Sequence, residues 1–324
     1  MKRILITGAL GHIGSAFLHA MRPGDFDEVV LLDNLATQRY CSLFNLPAGV
    51  PYRFVEADVC TADLGPYVEG VDVVVHLAAL TNAAGSFEIQ EHVERVNYEG
   101  TQRVAQACVR AGSRLLFVST TSVYGTQSDT VDEDCAIEDL RPQSPYADSK
   151  LRAEQMLAAV GKTDGLRYFI GRFGTIYGTS SGMRFHTAIN KFCWQAIVGQ
   201  PITVWRTAMD QVRPYLELTD AVRAIQFVVK SDLFDNRVYN VLTDNATVRQ
   251  IVELIRLQIP DVEVQYVDTR IMNQLSYRVS ANRFVRQGFL FEGKLAAGIA
   301  ETVRLLGAVG HGTRASRAAR ADAG

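Results

Sequence analysis

A β-branched run, Lys2–Ile6, gives way at Thr7 to a turn with glycine at Gly8, Gly11 and Gly14, and then to a helical pattern, His12–Met21. A strand feeding a helix through three evenly spaced glycines fits few folds. Gly8 permits a tight turn, Gly11 lets the backbone approach a pyrophosphate, and Gly14 lets the helix pack close to the sheet. Backbone amides at His12 and Ile13, at the positive end of the helix dipole, suit an anion. The gap between the first two glycines is one residue longer than in the usual dinucleotide fingerprint, so the triplet alone is also compatible with a plain turn.

The chain around it alternates in the same manner. Glu28–Leu32, Tyr52–Glu56, Val71–His76, Leu115–Ser119 and Leu166–Phe173 read as strands, several of them continuous apolar runs of the kind covered on both faces. Glu88–Ala111 reads as one long helix, with Val93, Val96, Val104, Ala107 and Cys108 at helical spacing. Tyr146–Val160 reads as another, with Pro142 and Pro145 before it and Gly161 after it. A βαβ series of this kind predicts an α/β fold with a Rossmann-type doubly wound parallel sheet. Beyond residue 174 the alternation loosens. Helices at Ala188–Val198, Asp220–Val229 and Thr247–Leu257 and strands at Ile202–Trp205 and Arg237–Leu242 suggest a smaller C-terminal α/β substrate lobe over 175–307, with some chain crossing back to the Rossmann sheet. Residues 308–324 carry almost no apolar anchor and read as a disordered tail.

Composition removes several function classes. Net charge is −2, which offers nothing global to nucleic acid or an anionic membrane. No apolar stretch approaches the roughly 20 residues that span a bilayer, and Met1–Thr7 lacks the apolar run of a signal peptide. Cys41, Cys60, Cys108, Cys135 and Cys193 are odd in number and scattered, which argues against a disulfide framework or a metal site and for a reducing compartment. A cytoplasmic enzyme with no membrane or nucleic-acid partner is expected.

The second predicted strand ends in Asp33, nineteen residues past Gly14. A carboxylate there accepts from an adenosine ribose and repels a 2′-phosphate, favouring NAD over NADP, with Arg39 nearby as a softening charge. Asp58 and Val59 end the third strand, where an adenine would lie; a plain loop aspartate is the alternative. Tyr146 and Lys150 stand four apart on one helical face. A free phenol titrates near ~10, and a neighbouring ammonium favours the phenolate. That pair removes a proton from an alcohol as hydride leaves carbon. Alone, such a pair is more often an exposed helix couple. Ser119-Thr120-Thr121-Ser122, at the carboxyl end of the fifth strand, places hydroxyls where α/β sheets bind ligands.

These residues resemble the extended short-chain dehydrogenase/reductases, in the NAD-dependent epimerase/dehydratase group that acts on nucleotide sugars. The resemblance spans roughly residues 2–305. It rests on Thr7 through Gly14, Asp33-Asn34-Leu35, Asp58-Val59, His76-Leu77-Ala78-Ala79, Asn97, Ser119 through Gly125, Tyr146 through Lys150, Arg172 through Gly178, Arg213 through Asp220 and Tyr239-Asn240-Val241. It implies Thr120, Tyr146 and Lys150 as catalytic residues, Tyr146 as base and Lys150 on the nicotinamide ribose. It implies cofactor contacts from Leu77, Ala78, Ala79, Phe173 and Ile176 besides the residues already named, although the first three also suit sheet-edge packing. Asn97 alternatively ties loops together. Thr81, Thr121, Thr175 and Arg213 are implied for the substrate, a nucleotide-diphosphate sugar. Arg184, Arg206 and Arg270 suit either a diphosphate clamp or a solvated surface. A homodimer through Glu88–Ala111 and Tyr146–Val160 is implied as well.

The departures narrow the reaction. The family's 4,6-dehydratases place Asp-Glu after the catalytic Thr; here Thr121 and Ser122 stand there. The family's usual Asn is Thr175, and Pro214 and Glu217 replace an Asp and a His. Gly182–Phe192, with His186, should border the sugar. The expected reaction is epimerisation at C4 through a transient keto-sugar. A reductase, dehydrogenase or dehydratase of the same family is the alternative, and a non-catalytic NAD-sensing scaffold the most distant one.

Overall fold

The computed structural model describes residues 2–125, 130–268 and 276–309. Arg270 and the expected tail beyond residue 309 lie outside the described residues. Seven strands form the large sheet: β1 (Arg3–Thr7), β2 (Glu28–Asp33), β3 (Tyr52–Glu56), β4 (Val73–His76), β5 (Arg114–Thr120), β6 (Tyr168–Phe173) and β7 (Arg237–Val241). They are all parallel, in the order β7-β6-β5-β4-β1-β2-β3. The order reverses between β1 and β4, which opens a crevice at their carboxyl ends, where doubly wound sheets receive ligands.

Both faces of this sheet are covered. On one side Phe17 and Leu18, from helix His12–His19, meet Val222 and Ile225, from helix Leu218–Ser231. On the other, Val104, Ala107 and Cys108 of helix Gly100–Ala111 and Leu157 of helix Pro145–Thr163 pack on Leu5, Val74 and Leu115. The apolar runs of β4 and β6 are buried throughout. Two elements of the 175–307 segment lie against this sheet. Strand Arg237–Val241 pairs with β6, and helix Leu218–Ser231 packs beside the first helix. An intervening excursion breaks their alternation and disguises a last βα return to the sheet.

That excursion and the following chain build the smaller layer. Thr175–Tyr177, Val212–Glu217 and Asp244–Thr247 form a three-stranded sheet, and Ile202–Trp205 pairs in parallel with Val264–Val267. Helices Ala188–Ile197, Val248–Gln258 and Leu295–Leu306 enclose a separate core of Ile189, Cys193, Ile251, Ile255 and Ile299.

Two helices differ from expectation in ways that matter for the site. Glu88–Ala111 is not one α-helix: Gln90–Val93 and Gly100–Ala111 flank a π-helical segment, Glu94–Glu99. Single π turns concentrate at functional sites, and this one carries the fully buried Asn97. The second helix does not stop at Gly161 but runs to Thr163. A Cβ on Gly161 would stand 2.7 Å from the Tyr168 ring, so the glycine serves close packing and not termination. At its other end Ser144 accepts from the Ala147 amide at 3.2 Å, capping the helix one residue before Pro145.

Candidate active site

The crevice is a cavity of about 350 Å³. Its floor is the glycine turn. Gly8 has φ +64°, and a Cβ there would lie 2.6 Å from the Ala78 amide; a Cβ on Gly14 would lie 2.4 Å from Ala9 O. The cradle therefore admits only glycine at these two points, and the same closeness lets a diphosphate rest on the amides of Gly11–Gly14. Gly8, Gly11, His12, Ile13 and Gly14 all line the cavity, as expected.

At the end of β2, Asp33 accepts from the Leu10 amide at 3.0 Å and the Leu35 amide at 2.9 Å. The carboxylate thus locks the glycine turn and is not among the residues lining the cavity. Asn34 donates to Asp58 at 3.1 Å, bridging the ends of β2 and β3. Leu35 (φ +56°) and Val59 are buried in the apolar layers, so their side chains shape the turn and do not face the cavity. Leu77 and Ala79 line it; Ala78 is spent on the backbone, donating to Thr7 Oγ1 at 3.3 Å. Asn97 does not line it. Its amide donates to Leu80 O at 3.0 Å and to Ser149 Oγ at 3.2 Å and accepts from Leu80 N at 2.8 Å. It ties the loop after β4 to the Tyr146 helix.

Tyr146, Lys150, Ser119 and Thr120 meet on one wall. Tyr146 is hydrogen-bonded to the Thr120 hydroxyl, and burial pushes its phenol up to about 12, with Thr120 and Arg184 pulling the other way. Thr120 also accepts from the Ser122 amide at 3.1 Å. The Lys150 ammonium donates to Val118 O at 2.9 Å and lies 4.5 Å from the Phe117 ring centre. Burial brings it down to about 7, against the pull of Glu154 one turn along. Glu154 is itself buried, held by Arg172 at 2.7 Å and by the Ser119 hydroxyl. Arg172 stacks over Tyr124, 4.9 Å from its centre, and Tyr124 donates to Asn240 at 3.0 Å. The helix that carries Tyr146 and Lys150 is therefore fastened by a buried polar network to β5, β6 and β7.

The opposite wall comes from the smaller layer: Thr175, Ile176, Arg184, His186, Thr187, Ala188, Trp205, Arg213 and Tyr215, with Phe173 at the junction. Arg184 donates to Thr81 at 2.8 Å, bringing those two expected residues together. Arg213 donates to Gln211 at 3.1 Å at the cavity edge. Thr121 is buried, donating to Phe173 O at 3.4 Å. Tyr277 and Tyr215 were not foreseen. Tyr277 is hydrogen-bonded to Thr121 and Ser122 and stands within the field of Arg213. Tyr215 has a buried hydroxyl with no partner among the described residues. Neither carries a local sequence signal: Tyr215 reaches the cavity from the strand Val212–Glu217, and Tyr277 contacts Thr121 and Ser122 without lining it. Among the described residues lining the cavity there is no Asp or Glu.

Comparison with known proteins agrees with this geometry. A plant trifunctional UDP-glucose 4,6-dehydratase/UDP-4-keto-6-deoxy-D-glucose 3,5-epimerase/UDP-4-keto-L-rhamnose-reductase from Arabidopsis thaliana is 30% identical over 323 residues, covering 93% of this chain but 47% of the relative. This chain spans about half the length of such relatives. The dTDP-glucose 4,6-dehydratase of Streptomyces griseus is 31% identical, with 93% and 92% of the two chains covered. The structure of the Thermus thermophilus UDP-glucose 4-epimerase in complex with NAD superimposes with a TM-score of 0.80 at 26% identity, over 94% of this chain and 98% of that one. The family model of the NAD-dependent epimerases and dehydratases matches residues 4–241. With its glycine cradle, Asp33 and the Thr120–Tyr146–Lys150 wall, the chain belongs to the NAD-dependent epimerase/dehydratase family.

Proposed function

We propose that the protein is an NAD-dependent nucleotide-sugar epimerase acting at C4. The observation that carries this reading is the cavity wall without a carboxylate among the described residues. Expulsion of water from a sugar needs an acid and a base besides the hydride-transfer set. The two positions after Thr120 hold Thr121 and Ser122, and both are engaged by Tyr277.

The residues fit NAD: the glycine turn packs too closely for a Cβ at Gly8 or Gly14, Asp33 at the end of β2 would receive the ribose, and the His12 Nε2 atom is buried without a partner among the described residues. Bound there, NAD supplies a hydride acceptor that can return what it takes. Tyr146 removes the proton of the sugar C4 hydroxyl, and Thr120 holds the same oxygen. The C4–H bond breaks as the C4=O bond forms. With NAD bound, the keto-sugar would turn in the cavity, C4 would regain hydride on its other face, and Tyr146 would return the proton. Lys150, anchored by Val118 O on the same wall, would hold the nicotinamide ribose. Arg213, at the cavity edge, would hold the nucleotide diphosphate, since a guanidinium fork binds two oxygens at once.

The test is incubation with UDP- and dTDP-sugars, catalytic NAD and chromatographic separation of products. A C4 epimer of unchanged mass, formed without stoichiometric NADH, is expected; a product lighter by one water, or consumption of NADH, would establish the dehydratase or the reductase instead. A homodimer through the Gly100–Ala111 and Pro145–Thr163 helices is proposed with it, and light scattering reads twice the chain mass if this is right.

A further inference from the structure

Between strand Thr175–Tyr177 and helix Ala188–Ile197 the chain crosses directly over the glycine turn. A Cβ on Gly182 would lie 2.5 Å from Gly11 O, so the two backbones touch. Ser180 meets His12 twice, at 2.7 Å to Nδ1 and 3.1 Å to the main-chain oxygen. Arg39, from the loop after β2, donates to Gly182 O at 2.7 Å, and the Cys41 thiol donates to Ser181 O at 3.3 Å. The ends of the crossing are pinned to one fully buried side chain: Asn190 accepts from Gly178 N at 3.1 Å and donates to Arg184 O at 3.2 Å.

This strap brings the Arg39 and Arg184 guanidiniums together beside His12 and His186, with Asp33 the carboxylate in the field of both arginines. His12, Arg39, Arg184 and His186 lie within one another's fields; burial first, and mutual repulsion second, hold the His186 imidazole at about 4 and the His12 imidazole at about 3. The carboxylate within reach, Asp33, has each oxygen engaged by a backbone amide. The His12 Nε2 atom is buried with no partner among the described residues. Like charges gathered at low dielectric are costly unless a ligand neutralises them. A dianion is what the place lacks, and the backbone beneath is shaped for a pyrophosphate.

We propose that Arg39 and Arg184, with His12, clamp the cofactor's pyrophosphate from above, so that the strap 179–186 roofs the glycine turn and NAD leaves only when the strap lifts. This assigns Arg184 to the cofactor and not to the sugar nucleotide. It rests on NAD serving this site but not on which sugar reaction follows. Because Arg184 also acts on the Tyr146 phenol, the same guanidinium couples cofactor occupancy to the base.

The test is calorimetric titration of the full chain and of Arg184→Met and Arg39→Met with NAD, ADP-ribose and UDP, with thermal melts as a check on folding. NAD and ADP-ribose share the pyrophosphate and differ in the nicotinamide. Each variant should weaken both by the same factor, about 10–100-fold for a lost charge-assisted contact, leave UDP unchanged and hasten NAD release. If Arg184→Met does not fold, Arg39→Met alone reads the clamp. Loss confined to UDP, or undiminished ADP-ribose binding in both variants, overturns the clamp. Failure of the parent chain to bind either dinucleotide ligand overturns the NAD assignment itself.

Discussion

The two walls of the cavity are built on different principles. The wall of Gly8–Gly14, Thr120, Tyr146 and Lys150 stands on strand ends and a helix of the parallel sheet, each group fixed by neighbours in register: Thr7 beside His76, Thr120 beside Phe173. The facing wall of Thr175, Arg184, His186, Arg213 and Tyr215 arrives on short strands and a strap from several separate segments. The first wall has the chemistry wired into the core. The second has charge and shape, held by main-chain contacts and by scattered side-chain bonds of Asn190, Ser180, Arg39 and Arg184. Substitutions should therefore act on different observables on the two sides.

The largest effect expected is on Tyr146. Tyr146→Phe removes the phenol bonded to Thr120 and should reduce turnover about 10³-fold while leaving NAD binding within a few-fold, as read by steady-state kinetics and titration. Full turnover would mean that the proton moves from the other wall. Next comes the mount of the base. Arg172→Met leaves the Glu154 carboxylate buried without its partner, which costs about 3–5 kcal/mol, so the thermal midpoint should fall by roughly 10 °C. A drop of a degree or two would show that the sheet-side network is no stiffer than the strap.

Lys150→Met sharpens the same contrast through pH. The ammonium titrates at about 7 in the fold and at 10.5 as a free group. The folded state thus binds the proton less tightly, and the lysine costs stability most fully below pH 7, less as pH rises toward 10.5, and nothing above it. The methionine variant should melt roughly 5 °C higher than the parent at about pH 6, and the advantage should vanish by pH 10.5. A pH-independent difference would mean that the lysine binds its proton equally well in the folded and the unfolded chain. The smallest effect expected is Asp33→Asn, which keeps an acceptor for the Leu10 amide and removes the charge. NADP affinity should rise about 10-fold and NAD fall a few-fold in competitive titration. Unaltered preference would place the ribose elsewhere than at the end of β2.

Legibility in the sequence follows the same division. The glycine turn, Asp33, Thr120 and the Tyr146–Lys150 spacing are local patterns on a repeating βαβ frame, so periodicity and turn chemistry expose them. Some crossing of the later chain back to the large sheet is expected from the sequence, but not which elements make it: forty-odd residues of smaller-layer chain separate β6 from helix Leu218–Ser231, and no local pattern records which sheet a lone strand joins. The π turn at Glu94–Glu99 was hidden for another reason: one extra residue scarcely disturbs apolar spacing, yet it sets the Asn97 amide against Leu80. Gly161 misled because a glycine needed for close approach to Tyr168 looks the same as one that ends a helix. Tyr277, Tyr215 and the strap's contact with Gly11 depend on tertiary proximity alone.

The knot of Ser119, Glu154 and Arg172 has a consequence for how such a protein can change. Because it belongs to the sheet, the proton-handling groups keep their alignment whatever happens across the cavity. The sugar-facing segments share no side chain with that knot. They are exchangeable parts, and a new ligand preference can be acquired there, by drift or by design, while the reacting centre is inherited intact.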